Sequence, residues 1–110
     1  MTDITFYKTT AGEYQRFVCD GHAGYADYGE DIVCASISVL VINTINSLEH
    51  ITREKMNVEM DEESGIIRCH LMNQPLKETS KALMDSLVLG LTQIEKQYGK
   101  NYCKLTFEEV

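Results

Sequence analysis

Residues 55–72 read KMNVEMDEESGIIRCHLM, and this stretch decides the fold class. Apolar and polar side chains alternate on both sides of Glu63-Ser64-Gly65, which is the pattern of two strands joined by a turn. It is the clearest β-hairpin signal in the chain. The elements on either side of it then determine the architecture.

One helical segment is expected on each side of this hairpin. The first is the apolar run over residues 32–48, for which Asp31 is a suitable N-cap. The second is predicted to begin near Pro75, because proline is favoured in the first turn of a helix. Gly99 is a suitable C-cap for its other end.

The outer parts of the chain add three more strands. Residues 3–9 and 14–20 predict a second hairpin that turns at Ala11-Gly12, and residues 103–109 alternate again. The order β-β-α-β-β-α-β favours an α+β fold, a two-layer sandwich with both helices on one face of a mainly antiparallel sheet. With 110 residues, we expect one domain over residues 1–110.

Composition and charge exclude several classes of protein. Ten basic and seventeen acidic residues give a net charge of −7, which argues against direct nucleic-acid binding and suits a basic partner. The N-terminus lacks a signal-peptide pattern, and polar residues interrupt the longest apolar run, so we expect a cytoplasmic protein that does not span a membrane. The four cysteines contain no CxxC pair, which favours reduced thiols over disulfides or a zinc ribbon.

Strand phase separates the cysteines into two groups. Cys19, Cys69 and Cys103 each share the phase of apolar neighbours on a predicted strand, so we expect packing roles for all three. Cys34 instead falls in the first turn of the first helix. There the unpaired backbone N–H groups and the helix dipole favour a thiolate and could hold an oxyanion. A packing role for Cys34 is equally compatible with its position alone, and the neighbouring Asp31 carboxylate would oppose the thiolate.

His22 is the natural partner for Cys34, because it ends a strand and a single loop joins the two residues. That loop, residues 23–33, is either a mobile substrate-gating flap or a passive connector. Its candidate residues are Gly24, Tyr25, Tyr28 and Gly29. A metal site built from Cys19, His22 and Cys34 is disfavoured, because Cys19 belongs to the core phase and no fourth ligand has suitable spacing. Cys–His chemistry requires no cofactor.

The segment GHAGYADYGEDIVCASIS, residues 21–38, resembles the signature of the bacterial ribosomal-processing cysteine protease family, without departure at the motif. That resemblance implies a His22–Cys34 catalytic dyad, a mobile loop over residues 23–33, and a homodimeric α+β sandwich. It implies as substrate the short N-terminal extension of a large-subunit ribosomal protein. Asp31, Ser38 and Gly21 are then candidate supporting residues. The residues that match the signature are Gly21, His22, Gly29, Asp31, Ile32, Val33, Cys34, Ala35 and Ser38.

Two alternatives remain open. A binding module for ribosome assembly would explain the acidic charge without a reactive thiol. A thiol-based transferase or redox sensor would use the same cysteine and histidine. In all three cases we expect a homodimer, because apolar residues surround the first helix on every side and a two-helix layer cannot cover them all.

Overall fold

The structure is a computed structural model that describes residues 1–27 and 30–110. Five strands and two helices lie in these residues, in the order that the sequence predicts. Their bounds are β1 Thr2–Lys8, β2 Tyr14–Asp20, α1 Ile32–His50, β3 Met56–Asp61, β4 Ile66–Leu71, α2 Glu78–Tyr98 and β5 Cys103–Glu109.

The five strands form one mixed sheet in the spatial order β3-β4-β2-β1-β5. Three of the neighbouring pairs are antiparallel, and β5 lies parallel to β1 at the sheet edge. Both helices pack on the same apolar core and against each other. The predicted two-layer α+β sandwich with a mainly antiparallel sheet is therefore confirmed.

The core lies between the sheet and the helices, and strand alternation fills it. Ile4 and Phe6 of β1 and Phe17 of β2 are fully buried, and their rings and side chains meet Val41 and Leu91 of the two helices in one cluster. Three cysteines belong to the same cluster. Their exposed fractions are 3% for Cys19, 1% for Cys69 and 0% for Cys103, which confirms their predicted packing roles.

The first helix begins where the sequence predicts. Asp31 is its N-cap with extended backbone angles, and its side chain accepts a hydrogen bond from the backbone N–H of Cys34. The helix continues to His50, two residues past the predicted end. Thr52 and Glu54 are buried just beyond it, so the chain stays packed as it turns toward β3.

The predicted start of the second helix at Pro75 is wrong. The helix begins at Glu78, after Lys77, whose backbone N–H donates to Glu54 Oε1 at 3.1 Å. Lys77 has extended backbone angles and Leu76 before it is buried, so the chain is held outside the helix up to residue 77. The predicted end is confirmed: Gly99 is the C-cap, with φ at 97°, and its N–H donates to the Glu95 carbonyl at 2.8 Å.

The two halves of α1 differ in what they expose. Val33, Ile37 and Val41 face the core, whereas Ile32, Val39 and Ile42 are exposed by 53%, 66% and 39%. Beyond Ile42 the outer side turns polar, so the prediction of apolar residues on every side holds only for the first half. The helix also has the length and mean hydropathy, 1.6, of a membrane-crossing segment, but core helices of globular proteins pass the same test.

Sheet topology brings three distant segments together at one end of the core. Because β2 and β4 are antiparallel, with Cys19 opposite Ile67, the end of β2 lies beside the start of β4. The β3–β4 turn, residues 62–65, therefore lies next to the residues that follow β2. The start of β1 is also here, since Asp3 pairs with Asp20.

Candidate active site

His22 is positioned by the backbone of the glycine before it. Gly21 has φ at +92°, and a Cβ there would lie 2.8 Å from the Met1 carbonyl oxygen, so a side chain would be strained and would clash. The Gly21 N–H donates to the Gly65 carbonyl at 3.1 Å. Thr2 Oγ1 donates to the Gly21 carbonyl at 3.3 Å. Gly21 thus sets the direction in which the chain leaves β2.

Cys34 lies in the first turn of α1 and is half-buried. Its Sγ atom is 3.7 Å from Nδ1 of His22, within hydrogen-bond range for sulfur. The structure therefore brings together the two residues that the sequence singles out as a possible dyad, twelve positions apart in the chain. This contact joins a thiol to the one side chain that commonly exchanges protons near neutral pH.

The other ring nitrogen of His22 faces the β3–β4 turn. Nε2 lies 3.3 Å from the Glu63 backbone carbonyl oxygen. Since a carbonyl oxygen only accepts hydrogen bonds, this contact favours the tautomer that carries its proton on Nε2. The neutral ring then presents an unprotonated Nδ1 to the Cys34 thiol. In that form His22 is set to accept the proton of the thiol.

Asp31 holds the loop to the helix start. Its Oδ1 accepts from the Cys34 N–H at 2.8 Å, and its Oδ2 accepts from the Tyr25 N–H at 2.9 Å. Burial raises the pKa of the Asp31 carboxyl, but backbone N–H donors from Cys34, Tyr25, Ala26 and Val33 outweigh it and lower the pKa below 3.8. Asp31 is therefore an ionised cap at neutral pH.

This cap corrects one expectation about the helix start. The sequence alone indicates that unpaired amides beside Cys34 could hold an oxyanion. The Cys34 N–H instead donates to the Asp31 carboxylate at 2.8 Å, and the Ala35 N–H donates to the Asp31 carbonyl at 3.0 Å. These two amides are not available to an oxyanion in this conformation.

Two cavities meet at the Cys34–His22 pair. The larger, about 560 Å³, lies between α1 and the β3–β4 hairpin, and the smaller, about 390 Å³, lies under the loop before α1. Both are lined by His22, Cys34 and Ser38, so Ser38 shares the helix face of the thiol, as the spacing predicts. An extended chain laid across the pair would occupy one cavity on each side of the thiol.

The predicted gating loop, residues 23–33, is too long at its end, because Ile32 and Val33 belong to α1. Near its start the loop is anchored. The Tyr25 ring makes edge-to-face contacts with Tyr98 and Tyr102, at centroid distances of 5.5 and 5.2 Å. Gly24 has φ at +73° and lines the smaller cavity. Two other predicted loop residues, Tyr28 and Gly29, lie outside the described residues. Gating by this loop remains a prediction.

The three core cysteines have a different chemical environment. Burial, with smaller contributions from the neighbouring Cys103 and Cys69, raises the pKa of Cys19 to about 12. Burial likewise raises the pKa of Cys69 to about 12, and burial followed by the Glu95 charge raises that of Cys103 to about 11. These thiols stay protonated near neutral pH. Over residues 1–27 and 30–110, no three His, Cys, Asp or Glu side chains are grouped as a metal site.

The chain is similar to known proteins over most of its length. The model of the family described as cysteine protease Prp matches residues 1–103. The chain belongs to this family of cysteine proteases. A relative from Staphylococcus aureus, named ribosomal processing cysteine protease Prp, is 27% identical over 101 residues, 92% of this chain and 94% of the relative. A protein of the same name from Bacillus subtilis is 23% identical over 88 residues, 77% of this chain and 79% of its own.

Solved structures agree on the fold. The S. aureus Prp protease with a covalently linked product peptide superposes with a TM-score of 0.88 at 22% identity, over 100% of both chains. A Streptococcus mutans protein gives a TM-score of 0.87 at 27% identity, over 100% of this chain and 96% of that one. The same S. aureus protease has also been solved with a substrate peptide.

The Glu63 carbonyl is the part of the site that sequence reasoning misses. The alternation of apolar and polar residues predicts the hairpin around Glu63-Ser64-Gly65. It does not predict that this turn lies beside His22 in the folded chain. A backbone carbonyl leaves no residue-type signal, and 41 positions separate Glu63 from His22. The only usable signal is Gly65, a glycine that the turn requires at φ +72°.

Proposed function

We propose that this chain is a cysteine endopeptidase that removes a short N-terminal extension from a large-subunit ribosomal protein. Cys34 is the nucleophile and His22 is the general base. One observation carries the assignment: the Cys34 Sγ atom and His22 Nδ1 lie 3.7 Å apart where two cavities meet. A nucleophile needs both a proton acceptor and open space for the substrate on either side.

The reaction follows from that contact in two halves. Nδ1 of His22 takes the thiol proton as Sγ attacks the scissile carbonyl, and the tetrahedral intermediate collapses to a thioester as the leaving amine takes that proton. Water then attacks the thioester, with Nδ1 accepting its proton and returning it to the departing sulfur. Peptide and water are consumed, two peptides form, and the enzyme is regenerated without a cofactor.

The proposed substrate is supported by relatives and by charge. Relatives in this family are named ribosomal processing proteases, and one has been solved with a substrate peptide. Asp61 and Glu62 line the larger cavity, and the chain as a whole carries −7, which complements a basic ribosomal protein. Because ribosomal proteins are made in the cytoplasm, this substrate implies action there.

Supporting roles follow for residues around the dyad. Gly21 directs His22, Asp31 caps the helix that carries Cys34, and the Ser38 hydroxyl is available to hydrogen-bond the peptide. Gly24, Ala26 and Asp31, of the loop before α1, line the smaller cavity. We assign this loop a gating role, with Tyr25 as the contact that holds it against Tyr98 and Tyr102.

A second copy of the chain is the proposed partner for the exposed side of α1. Exposed Val39 lines a shallow cavity of about 440 Å³ with Leu40 and Ile94, so both helices contribute to one apolar surface. Leu89 of α2 is also exposed, by 63%. A two-fold dimer would pair this surface with the same surface of a second copy. A short peptide in the larger cavity would instead contact the exposed side of α1 only at Ile42.

Mass spectrometry of a peptide digestion tests the function. The peptide should contain the N-terminal extension and the residues that follow it, and a scrambled peptide of the same composition is the control. We expect two products whose masses sum to the peptide plus one water, from the ordered peptide alone. Intact peptide after long incubation would favour the binding module, and a product that carries an added acceptor would favour the transferase.

Sedimentation equilibrium at micromolar concentration tests the dimer. We expect twice the chain mass of 12.5 kDa for the wild type and the single mass for Val39→Asp, which places a charge on the apolar surface. Glu49→Asp, at an exposed polar position of the same helix, is the control. A wild-type mass of 12.5 kDa would show that the surface is open in solution.

A further inference from the structure

We propose that the β3–β4 turn, residues 62–65, is the positioning element of the dyad. It sets both the tautomer and the location of the His22 ring, through the Glu63 carbonyl and the backbone of Gly65. The inference rests on the proposed function, because His22 needs positioning only if it exchanges a proton with Cys34. It gives the turn a role beyond joining two strands.

The turn contacts His22 and the residue before it from one side. The Gly65 carbonyl accepts from the Gly21 N–H at 3.1 Å, which ties the turn to the backbone that leads into His22. A Cβ at Gly65 would lie 3.0 Å from the Gly21 carbonyl group and 3.1 Å from Cε1 of the His22 ring. The ring therefore lies in space that exists because residue 65 has no side chain.

The Glu63 carbonyl oxygen accepts the hydrogen bond from Nε2–H in every stage of the reaction. When His22 is neutral, this acceptor keeps the proton on Nε2 and leaves Nδ1 open toward Cys34. When Nδ1 has taken the thiol proton, Nε2 still donates to the same oxygen. The proton therefore moves between Sγ and Nδ1 while the far side of the ring is unchanged.

Asp31, one of the candidate supporting residues, bonds the backbone and not the His22 ring in the hydrogen bonds described here. Its Oδ1 accepts the Cys34 N–H at 2.8 Å and its Oδ2 accepts the Tyr25 N–H at 2.9 Å. Both carboxylate oxygens therefore bond the backbone of the helix start and of the loop before it. The orienting group that histidine bases commonly have is, in this site, a backbone carbonyl.

Two matched glycine substitutions test the role of the turn. Gly65→Ala adds a Cβ against Gly21 and His22, whereas Gly12→Ala adds one at a similar φ, +82°, with nothing within 4 Å. Both variants carry the cost of a left-handed alanine, and only the first disturbs the ring. We expect kcat for peptide cleavage to fall on the order of ten- to a hundredfold in Gly65→Ala, with KM little changed.

The control variant, Gly12→Ala, should keep the wild-type kcat, because residue 12 lies in the β1–β2 turn at the other end of β2. Equal kcat values in the two variants would overturn the proposal. If Gly65→Ala does not fold, Gly65→Asn and Gly12→Asn replace the pair, since asparagine tolerates positive φ and keeps the same Cβ.

Nitrogen-15 NMR of His22 in the wild-type chain gives a test that needs no substitution and no substrate. We expect a proton on Nε2 throughout a pH titration, with the neutral ring in the Nε2–H form. A neutral ring protonated on Nδ1 would overturn the proposal, whether or not the chain cleaves peptide. Conversely, an Nε2–H ring in a chain that cleaves nothing would leave the turn's role intact and reject the proposed protease function.

Discussion

Cys34 and Cys69 carry the same thiol in two very different parts of the molecule. Cys69 lies on β4, 1% exposed, with its Sγ donating to the Met56 sulfur at 3.8 Å and its pKa raised to about 12 by burial. Cys34 lies at the open end of a helix, half-buried, with an imidazole nitrogen at 3.7 Å and a cavity on each side. Cys69 therefore only packs in the core. Cys34 has a proton acceptor beside it and is accessible to a substrate.

The difference between them arises from position and not from composition. A strand interior surrounds each side chain with neighbours, so a cysteine there behaves as a small apolar residue. The end of a helix next to a loop leaves the side chain open on one side. The sheet places the end of β2 and the β3–β4 turn beside that open side. The candidate catalytic pair therefore lies where these two segments meet the start of α1.

The largest expected effect is a loss of kcat on replacing Cys34, and the same replacement at Cys69 is the comparison. Cys34→Ala and Cys34→Ser should lower kcat by at least about a thousandfold, because neither supplies the sulfur nucleophile. Cys69→Ala should keep nearly full activity at a permissive temperature while losing roughly 1 kcal/mol of stability. Steady-state cleavage rates and thermal unfolding of the three variants check both statements. Wild-type turnover by Cys34→Ala would end the assignment of the nucleophile.

Much of this comparison can be predicted from the amino-acid sequence. Strand phase separates Cys19, Cys69 and Cys103 from Cys34, and the local pattern around Asp31 locates the helix start. These predictions are correct because helix capping and strand alternation depend only on residues a few positions apart in the chain.

What the sequence does not predict depends on partners far along the chain. The second helix begins at Glu78 and not at Pro75, because Lys77 bonds Glu54 and the Thr52 carbonyl, more than twenty residues away. The Glu63 carbonyl next to His22 is a backbone group, and only the sheet register brings it there. The parallel pairing of β5 with β1 likewise has no signature in alternation alone.

Thiol alkylation sharpens the comparison without any substitution. Iodoacetamide should label Cys34 on the order of a hundredfold faster than the core cysteines, which must wait for local opening at a cost of a few kcal/mol. Peptide mapping after timed quenching gives the rate at each cysteine, and denaturant should bring the four rates close together. Labelling of Cys69 as fast as Cys34 in the native chain would contradict the packing role given to it.

Hydrogen exchange separates the loop from the rigid sheet beside it. If the predicted loop gates the site, the amides of its part before α1, residues 23–31, should exchange quickly in the free protein and roughly tenfold more slowly with a substrate-like peptide bound. The β1–β2 turn, residues 9–13, is the internal control, because it lies at the opposite end of β2 and should not change. Equal protection of the loop in both states would make it a passive connector.

The smallest expected effect concerns the Asp31 cap, which joins the reactive region to the folded core. Asp31→Ala removes the carboxylate and should cost about 1 kcal/mol of stability at neutral pH. Because the folded state lowers the pKa of Asp31 below 3.8, this contribution is complete above that pH and is lost as pH falls through the folded value. Asp31→Asn keeps a capping oxygen without the charge, so its stability should follow pH less steeply. Denaturant unfolding of the three proteins at several pH values, at matched concentration, measures the difference, and a wild-type advantage over Asp31→Ala that grows as pH falls would reject an ionised cap.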